Sequence, residues 1–208
     1  MKQYKTEQEQ FWASEFGNEY ILRNQDKELI ASNTALFSSI LQQTRGVKSV
    51  IEFGSNIGNN LHAIRNLLPY ADLSAIEINA SAVEYLKKIE GLTIYHQSIL
   101  DFVPSDKKDF VFIKGVLIHI NPDALPDVYQ KLYETSNRYI CVSEYYNPTP
   151  MELNYRGHSE KMYKRDFAGE MLDLYSDLEL VDYKFGYHRD PVFEHGDMTW
   201  FLLEKKGH

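Results

Sequence analysis

Apolar residues recur along this chain in two regimes. In the polar segment 5–25, Phe11, Trp12, Phe16 and Tyr20 fall at roughly helical intervals, which predicts a short helix or lid ahead of the main fold. Leu29, Ile30, Leu36, Phe37, Ile40 and Leu41 then form a helical-period stripe, predicting an amphipathic helix over 26–42. From Ser49 onward short apolar runs alternate with amphipathic ones. Strands are expected at 49–53, 71–78, 92–96, 109–114 and 139–143, with helices at 59–68 and 81–88 between them. A further helix opens at Asn121, where Asn is a good N-cap and Pro122 suits the first helical position. Residues 165–175 read as helix, and 178–185 and 199–204 as closing strands. Strand–helix alternation of this length predicts an α/β fold. The expected sheet is Rossmann-like and doubly wound, with seven strands, mostly parallel with a C-terminal antiparallel strand, and helices on both faces. The polar stretch 145–165 is expected to be a substrate-recognition loop, and 1–25 a cap, within a single domain spanning 1–208.

Ligands of such sheets bind beyond the carboxyl ends of the strands. The first strand ends in Glu52-Phe53-Gly54-Ser55-Asn56-Ile57-Gly58-Asn59-Asn60. Gly54 permits a sharp turn and close ligand approach, and Gly58 lets a helix start near the ligand. Glu52 offers acceptors to an ammonium or a water. The dinucleotide fingerprint G-x-G-x-x-G fails, because Asn56 and Asn59 stand where glycine is required, so NAD and FAD are disfavoured. No Gly-Lys-Ser/Thr follows, which excludes a P-loop. Glu77 ends the second strand, where a carboxylate can accept both hydroxyls of a ribose.

The pattern hydrophobic-Glu-x-Gly-x-x-x-Gly resembles motif I of class I S-adenosylmethionine (SAM)-dependent methyltransferases. The segment Gly115-Val-Leu-Ile-His119 after the fourth strand is similar to the one that follows strand four in many small members. The resemblance implies SAM as cofactor. It implies contacts from Glu52, Gly54, Ser55, Asn56, Gly58 and Asn60, from Glu77 and Ile78, from Ser98 and Ile99 around adenine, and from Gly115 and Val116. Trp12 and Tyr20 of the N-terminal segment are expected to fold over the cofactor.

Composition narrows the partners. The chain has 208 residues, 22 basic against 30 acidic side chains, and a formal charge of −8, which disfavours a phosphate backbone as ligand. No apolar run nears the about 20 residues that span a bilayer, and no secretory h-region is seen. The single cysteine, Cys141, excludes an intrachain disulfide and suggests a reducing cytoplasm. His, Asp and Glu show no close ligand spacing, so no metal is expected. The expected state is monomer or homodimer, with neither nucleic acid nor membrane as partner.

The second half is the more distinctive. It contains Glu144-Tyr-Tyr-Asn-Pro-Thr-Pro150, Tyr155-Arg-Gly-His-Ser159, Tyr163-Lys-Arg-Asp-Phe-Ala168 and His188-Arg-Asp-Pro191, preceded by Glu15-Phe-Gly-Asn-Glu-Tyr20 near the N-terminus. Together these strings resemble the pseudaminic acid biosynthesis-associated methylases across nearly the whole chain. That resemblance implies a nonulosonic sugar, free or nucleotide-activated, as methyl acceptor. Tyr146, Asn147 and Tyr155 are candidate sugar contacts, and Arg156, Lys161 and Arg189 candidate ligands for a carboxylate or phosphate. A hydroxyl acceptor needs a base, for which His119 and His158 are the candidates, with Tyr145 positioning the acceptor. His119 also has a purely structural reading. Two other functions stay open: SAM-dependent chemistry of another kind, such as cyclisation or alkyl transfer, and a non-catalytic SAM-binding partner.

Overall fold

A computed structural model describes residues 4–24, 27–155 and 157–207, and for Lys27, His158, Ser159 and Glu160 the backbone alone. Three helices come first: α1 (Glu7–Trp12), α2 (Glu15–Arg23) and α3 (Lys27–Leu41). Then β1 (Ser49–Phe53), α4 (Asn59–Leu67), β2 (Asp72–Glu77), α5 (Ala80–Leu86), β3 (Leu92–His96) and β4 (Lys108–Lys114) alternate. A 3-10 turn, Leu117–His119, follows β4, and α6 (Leu125–Thr135) leads into β5 (Ser136–Glu144). A hairpin of β6 (Met151–Tyr155) and β7 (His158–Lys164), helix α7 (Phe167–Leu174), β8 (Leu178–Phe185) and β9 (Thr199–Lys205) complete the order.

The main sheet has seven strands in the order β3-β2-β1-β4-β5-β9-β8. Strands β1 to β5 are parallel, and β9 runs antiparallel to both β5 and β8. This is the expected doubly wound architecture. Its strands are near-continuous apolar runs because helices cover both faces. On one face α3, α4 and α5 pack Phe37, Ile40, Leu61 and Leu86 over Val50, Phe110, Phe112 and Cys141. On the other, α6 and α7 pack Val128, Leu132, Phe167 and Met171 over Ile51, Phe53, Val111 and Ile140. The chain grows outward from β1 through β2 and β3, then returns to place β4 on the other side. The crevice this leaves lies between the carboxyl ends of β1 and β4.

Three local expectations differ from the structure. The N-terminal segment forms two helices. A capping box starts the first, with Thr6 Oγ1 accepting the Glu9 N–H at 3.2 Å and Glu9 Oε2 accepting the Thr6 N–H at 2.7 Å. The helix expected from Asn121 begins as a 3-10 turn, Pro122–Ala124, with Asn121 Oδ1 capping Asp123 at 2.9 Å. The 145–165 connection is an antiparallel hairpin from Met151 to Lys164, turned at Gly157 (φ +88°), whose N–H donates to Asn154 Oδ1 at 2.8 Å. In β6, Met151, Leu153 and Tyr155 alternate with Glu152 and Asn154 as in a strand, whereas Lys161 and Lys164 around Met162 and Tyr163 break the alternation in β7.

Candidate functional site

The turn after β1 is fixed to β2 by its own backbone: the N–H groups of Gly54 and Ser55 donate to the Ile76 carbonyl at 2.9 and 3.1 Å. Gly54 has φ +79°, and a Cβ there would lie 2.7 Å from Val116 Cγ2. Glycine thus lets the β1 and β4 loops approach. Asn56 takes a left-handed conformation (φ +47°) that aims its N–H at Glu77 Oε2, 2.7 Å away. The other Glu77 oxygen accepts the Asn79 N–H at 2.7 Å. Burial raises the Glu77 pKa, and these N–H donors, with that of Ile78, oppose the rise. Each carboxylate oxygen keeps a lone pair for a second donor.

Glu52 is wholly buried. Its Oε1 accepts Asn60 Nδ2 at 2.6 Å, while its Oε2 has no partner. Burial pushes its pKa up to about 8, with the Asn60 bond and the Lys114 charge pulling the other way. Asn56 Oδ1 and Asn60 Oδ1 are likewise buried without partners. Three acceptor oxygens around one turn thus lack donors, an arrangement that is costly unless a ligand supplies them.

Beyond β4, Glu144 Oε1 accepts the N–H groups of Val116 and Leu117, each at 2.9 Å, and so caps the 3-10 turn carrying His119. Burial lifts Glu144 to about 7. His119 Nδ1 lies 2.6 Å from the Lys161 carbonyl, which can only accept, so Nδ1 bears the hydrogen and Nε2 offers a lone pair. Burial pulls the His119 pKa down to about 4. The rings of Trp12 and Tyr155 stand 4.7 and 4.9 Å from the imidazole. After β3, Ser98 Oγ accepts the Leu100 N–H at 3.0 Å and shapes the turn at Ile99. Helices α1 and α2 lie across the opening. Lys5 pairs with Asp101 at 2.7 Å, Lys161 with Glu7 at 3.3 Å, and Asn79 Nδ2 donates to the Trp12 carbonyl at 3.1 Å. The result is a cavity of about 220 Å³ at the crevice between β1 and β4.

No family model matches the chain, and no curated protein matches its sequence. Solved structures match its fold. The plantazolicin methyltransferase BpumL, in complex with SAH, superposes with a TM-score of 0.66 at 14% identity over 95% of this chain and 93% of that one. The 1,6-didemethyltoxoflavin-N1-methyltransferase of Burkholderia thailandensis, with S-adenosylhomocysteine, gives 0.67 at 13% identity over 95% and 86%. The glycopeptide N-methyltransferase MtfA, complexed with SAM, gives 0.62 at 11% identity over 83% and 93%. The chain shares their fold.

Of the residues singled out in the sequence, Trp12, Tyr20, Gly54, Ser55, Asn56, Asn60, Glu77, Ile78, Ser98, Ile99, Gly115, Val116 and His119 line this one cavity. Glu52 reaches it through Asn60, and Gly58 packs behind it, where a Cβ would meet Ile89 Cδ1 at 2.5 Å. The expected acceptor contacts are not among the lining residues. Tyr155 borders the cavity through His119. Lys161 contributes its carbonyl, while its ammonium turns to Glu7. Tyr145 is half-buried under Lys164, whose Nζ is 4.9 Å from the ring centroid. Tyr146 packs on Phe201 at 5.7 Å, Asn147 closes a turn with Thr149, and Arg189 is exposed between β8 and β9. Arg156 lies outside the described residues, as does the His158 side chain. Lys114, Glu144, Gln8, Asn33 and Asn79 escaped sequence reasoning. All but Glu144 line the cavity, and Lys114 and Glu144 close their strands, a position that was a usable signal. Among the described residues no group of three or more His, Cys, Asp or Glu could hold a metal, and no helix is long and apolar enough to cross a membrane.

Proposed function

We propose that the chain is a SAM-dependent methyltransferase. Its acceptor is a small polar, anionic metabolite: a nonulosonic, pseudaminic-type sugar or its nucleotide-activated form. The observation that carries the cofactor half is the set of unpartnered acceptors, Glu52 Oε2, Asn56 Oδ1 and Asn60 Oδ1, on the same turn that hydrogen-bonds Glu77. A primary ammonium brings three N–H donors and a ribose brings two hydroxyls. SAM has both, and when bound it supplies a methyl group activated on a sulfonium.

The chain's own residues then divide the work. Glu77 accepts the ribose hydroxyls, and Glu52, with Asn56 and Asn60, receives the ammonium, whose charge draws the proton off Glu52. Ser98 and Ile99 border the adenine. Trp12 and Tyr20 close the opening and exclude water. His119 Nε2 accepts the O–H or N–H of the acceptor and aligns its heteroatom for in-line attack. With its pKa near 4, His119 orients better than it deprotonates. His158, paired in register with Tyr155 at the start of β7, is the second base candidate. Tyr145, its phenol pushed up by burial, serves as a donor. The sugar half rests on the resemblance strings at 144–150, 155–159, 163–168 and 188–191, with 15–20. On that resemblance Tyr146, Asn147, Tyr155, Arg156, Lys161 and Arg189 are the proposed acceptor contacts.

The test is mass spectrometry of a panel of nonulosonates, free and nucleotide-activated, incubated with SAM and the protein. The expected result is one acceptor that gains a single CH2, matched mole for mole by S-adenosylhomocysteine (SAH). SAH binding with no methylated product across the panel would remove the sugar assignment. Cofactor turnover without CH2 gain would point instead to the other SAM chemistries.

A further inference from the structure

Lys114 ends β4 and lines the cavity. It is the one Lys or Arg that does so among the described residues. Neighbouring cations are engaged elsewhere: Lys161 is paired with Glu7, and Lys164 sits over the Tyr145 ring. The Lys114 ammonium forms no hydrogen bond or ion pair among the described residues, although it feels the charges of Glu52 and Glu144. In the parallel pairing of β4 and β5 it stands level with Ser143, and Ser143 in turn with Trp200 of β9. Level residues on adjacent strands project from the same face. Ser143 is 3% exposed, and its hydroxyl has no partner. Two hydrogen-bond donors at level strand ends therefore stand unspent, the Lys114 ammonium lining the cavity and the Ser143 hydroxyl buried next to it beside an indole. His195, whose pKa is lowered by burial and by the Lys114 charge, belongs to the same side.

We propose that Lys114, seconded by Ser143, anchors the carboxylate of the methyl acceptor. The proposal rests on the methyltransferase reading and deepens it by naming the group on the acceptor that is recognised. An ammonium and a hydroxyl side by side match the two oxygens of a carboxylate. A phosphate dianion would need more donors than this strand end provides, with two glutamates close by. Glu52 does not cancel the anchor, because in the loaded enzyme the cofactor's ammonium neutralises it. Lys114 ends β4 and Glu77 ends β2, with β1 between them in the sheet, which leaves the ribose end of the cavity to the cofactor. Held there, a sugar acid shares the cavity with His119, to which its hydroxyl and amine groups can donate.

The probes are N-acetylneuraminate and its methyl ester, titrated calorimetrically into SAH-saturated protein. The wild type is expected to bind the acid at least about 10-fold tighter than the ester, as a charge-assisted hydrogen bond warrants. Lys114→Gln should abolish that preference, and Ser143→Ala should reduce it about 3-fold, each with SAH affinity held within about 3-fold of wild type. Equal binding of acid and ester by a wild type that binds SAH would overturn the anchor and leave the methyltransferase reading intact, as would binding of neither probe. A Lys114→Gln protein that loses SAH but keeps the acid preference would show that Lys114 grips the cofactor's own carboxylate, also against the proposal. Failure of the wild type to bind SAH would overturn the methyltransferase reading and the anchor with it.

Discussion

Glu52 is a costly residue of the site. Its pKa rises from 4.5 to about 8 through burial, so the folded chain holds a proton that the unfolded chain releases between those pH values. Stability is therefore undiminished below pH 4.5 and falls as pH rises toward about 8, by a total on the order of 5 kcal/mol at about 1.4 kcal/mol per unit. Glu52→Gln should raise the free energy of unfolding in urea by about 2–5 kcal/mol at pH 8.5, with the gain vanishing near pH 4.5. The same substitution should weaken SAH, since a neutral amide meets the ammonium less well. His119 has the opposite sign. Its pKa falls to about 4, so it adds stability above pH 6.5 that is lost as the pH drops through 4, on the order of 3 kcal/mol. His119→Gln should flatten the acid limb of the urea profile by a comparable amount. Glu77 could be read from the sequence because it terminates a strand before a turn. Glu144 closes its strand in the same way, but its role in capping the turn below His119 depends on a contact 28 residues away and was not readable.

At the scale of elements, the cap is the part most open to test. Gly17 of α2 lies against α1, and a Cβ would come 2.0 Å from the Trp12 carbonyl and 2.7 Å from Asn79 Nδ2. Backbone cannot yield there, so Gly17→Ala should push α2 off α1 and open the cavity. The expected cost is about 1–3 kcal/mol of stability together with a loss of SAH affinity of about 10-fold. Normal SAH binding by Gly17→Ala, with only a lowered melting temperature, would make the N-terminal helices mere packing. Helical spacing of Phe11, Trp12, Phe16 and Tyr20 announced this cap, although the break at Ser14 between its two helices was not visible in the pattern. The hairpin was the larger omission. Its two strands pair with each other outside the main sheet; Met151, Leu153 and Tyr155 alternating with Glu152 and Asn154 were a usable strand signal in β6, while Lys161 and Lys164 around Met162 and Tyr163 left none in β7.

For the whole molecule, strand order decides where chemistry can occur. The sequence pattern gave the alternation of strands and helices and hence parallel pairing, because two apolar faces demand helices on both sides. It was silent on which strands are neighbours beyond that rule, and so on the adjacency of Lys114, Ser143 and Trp200, which only the register reveals. A ligand that bridges the ends of β1, β2, β3 and β4 ties together elements distant in sequence. Saturating SAH, at about 100 times its Kd, should stabilise the fold by about 2.7 kcal/mol and raise the melting temperature by roughly 5–10 °C. The most direct test of the central claim is calorimetric titration of SAH into the wild type and into Glu77→Gln. One site per chain is predicted for the wild type, with affinity reduced about 100-fold or more in the variant, the worth of two hydrogen bonds to a charged group. No heat with folded wild-type protein, or equal affinity in the two proteins, would contradict the account.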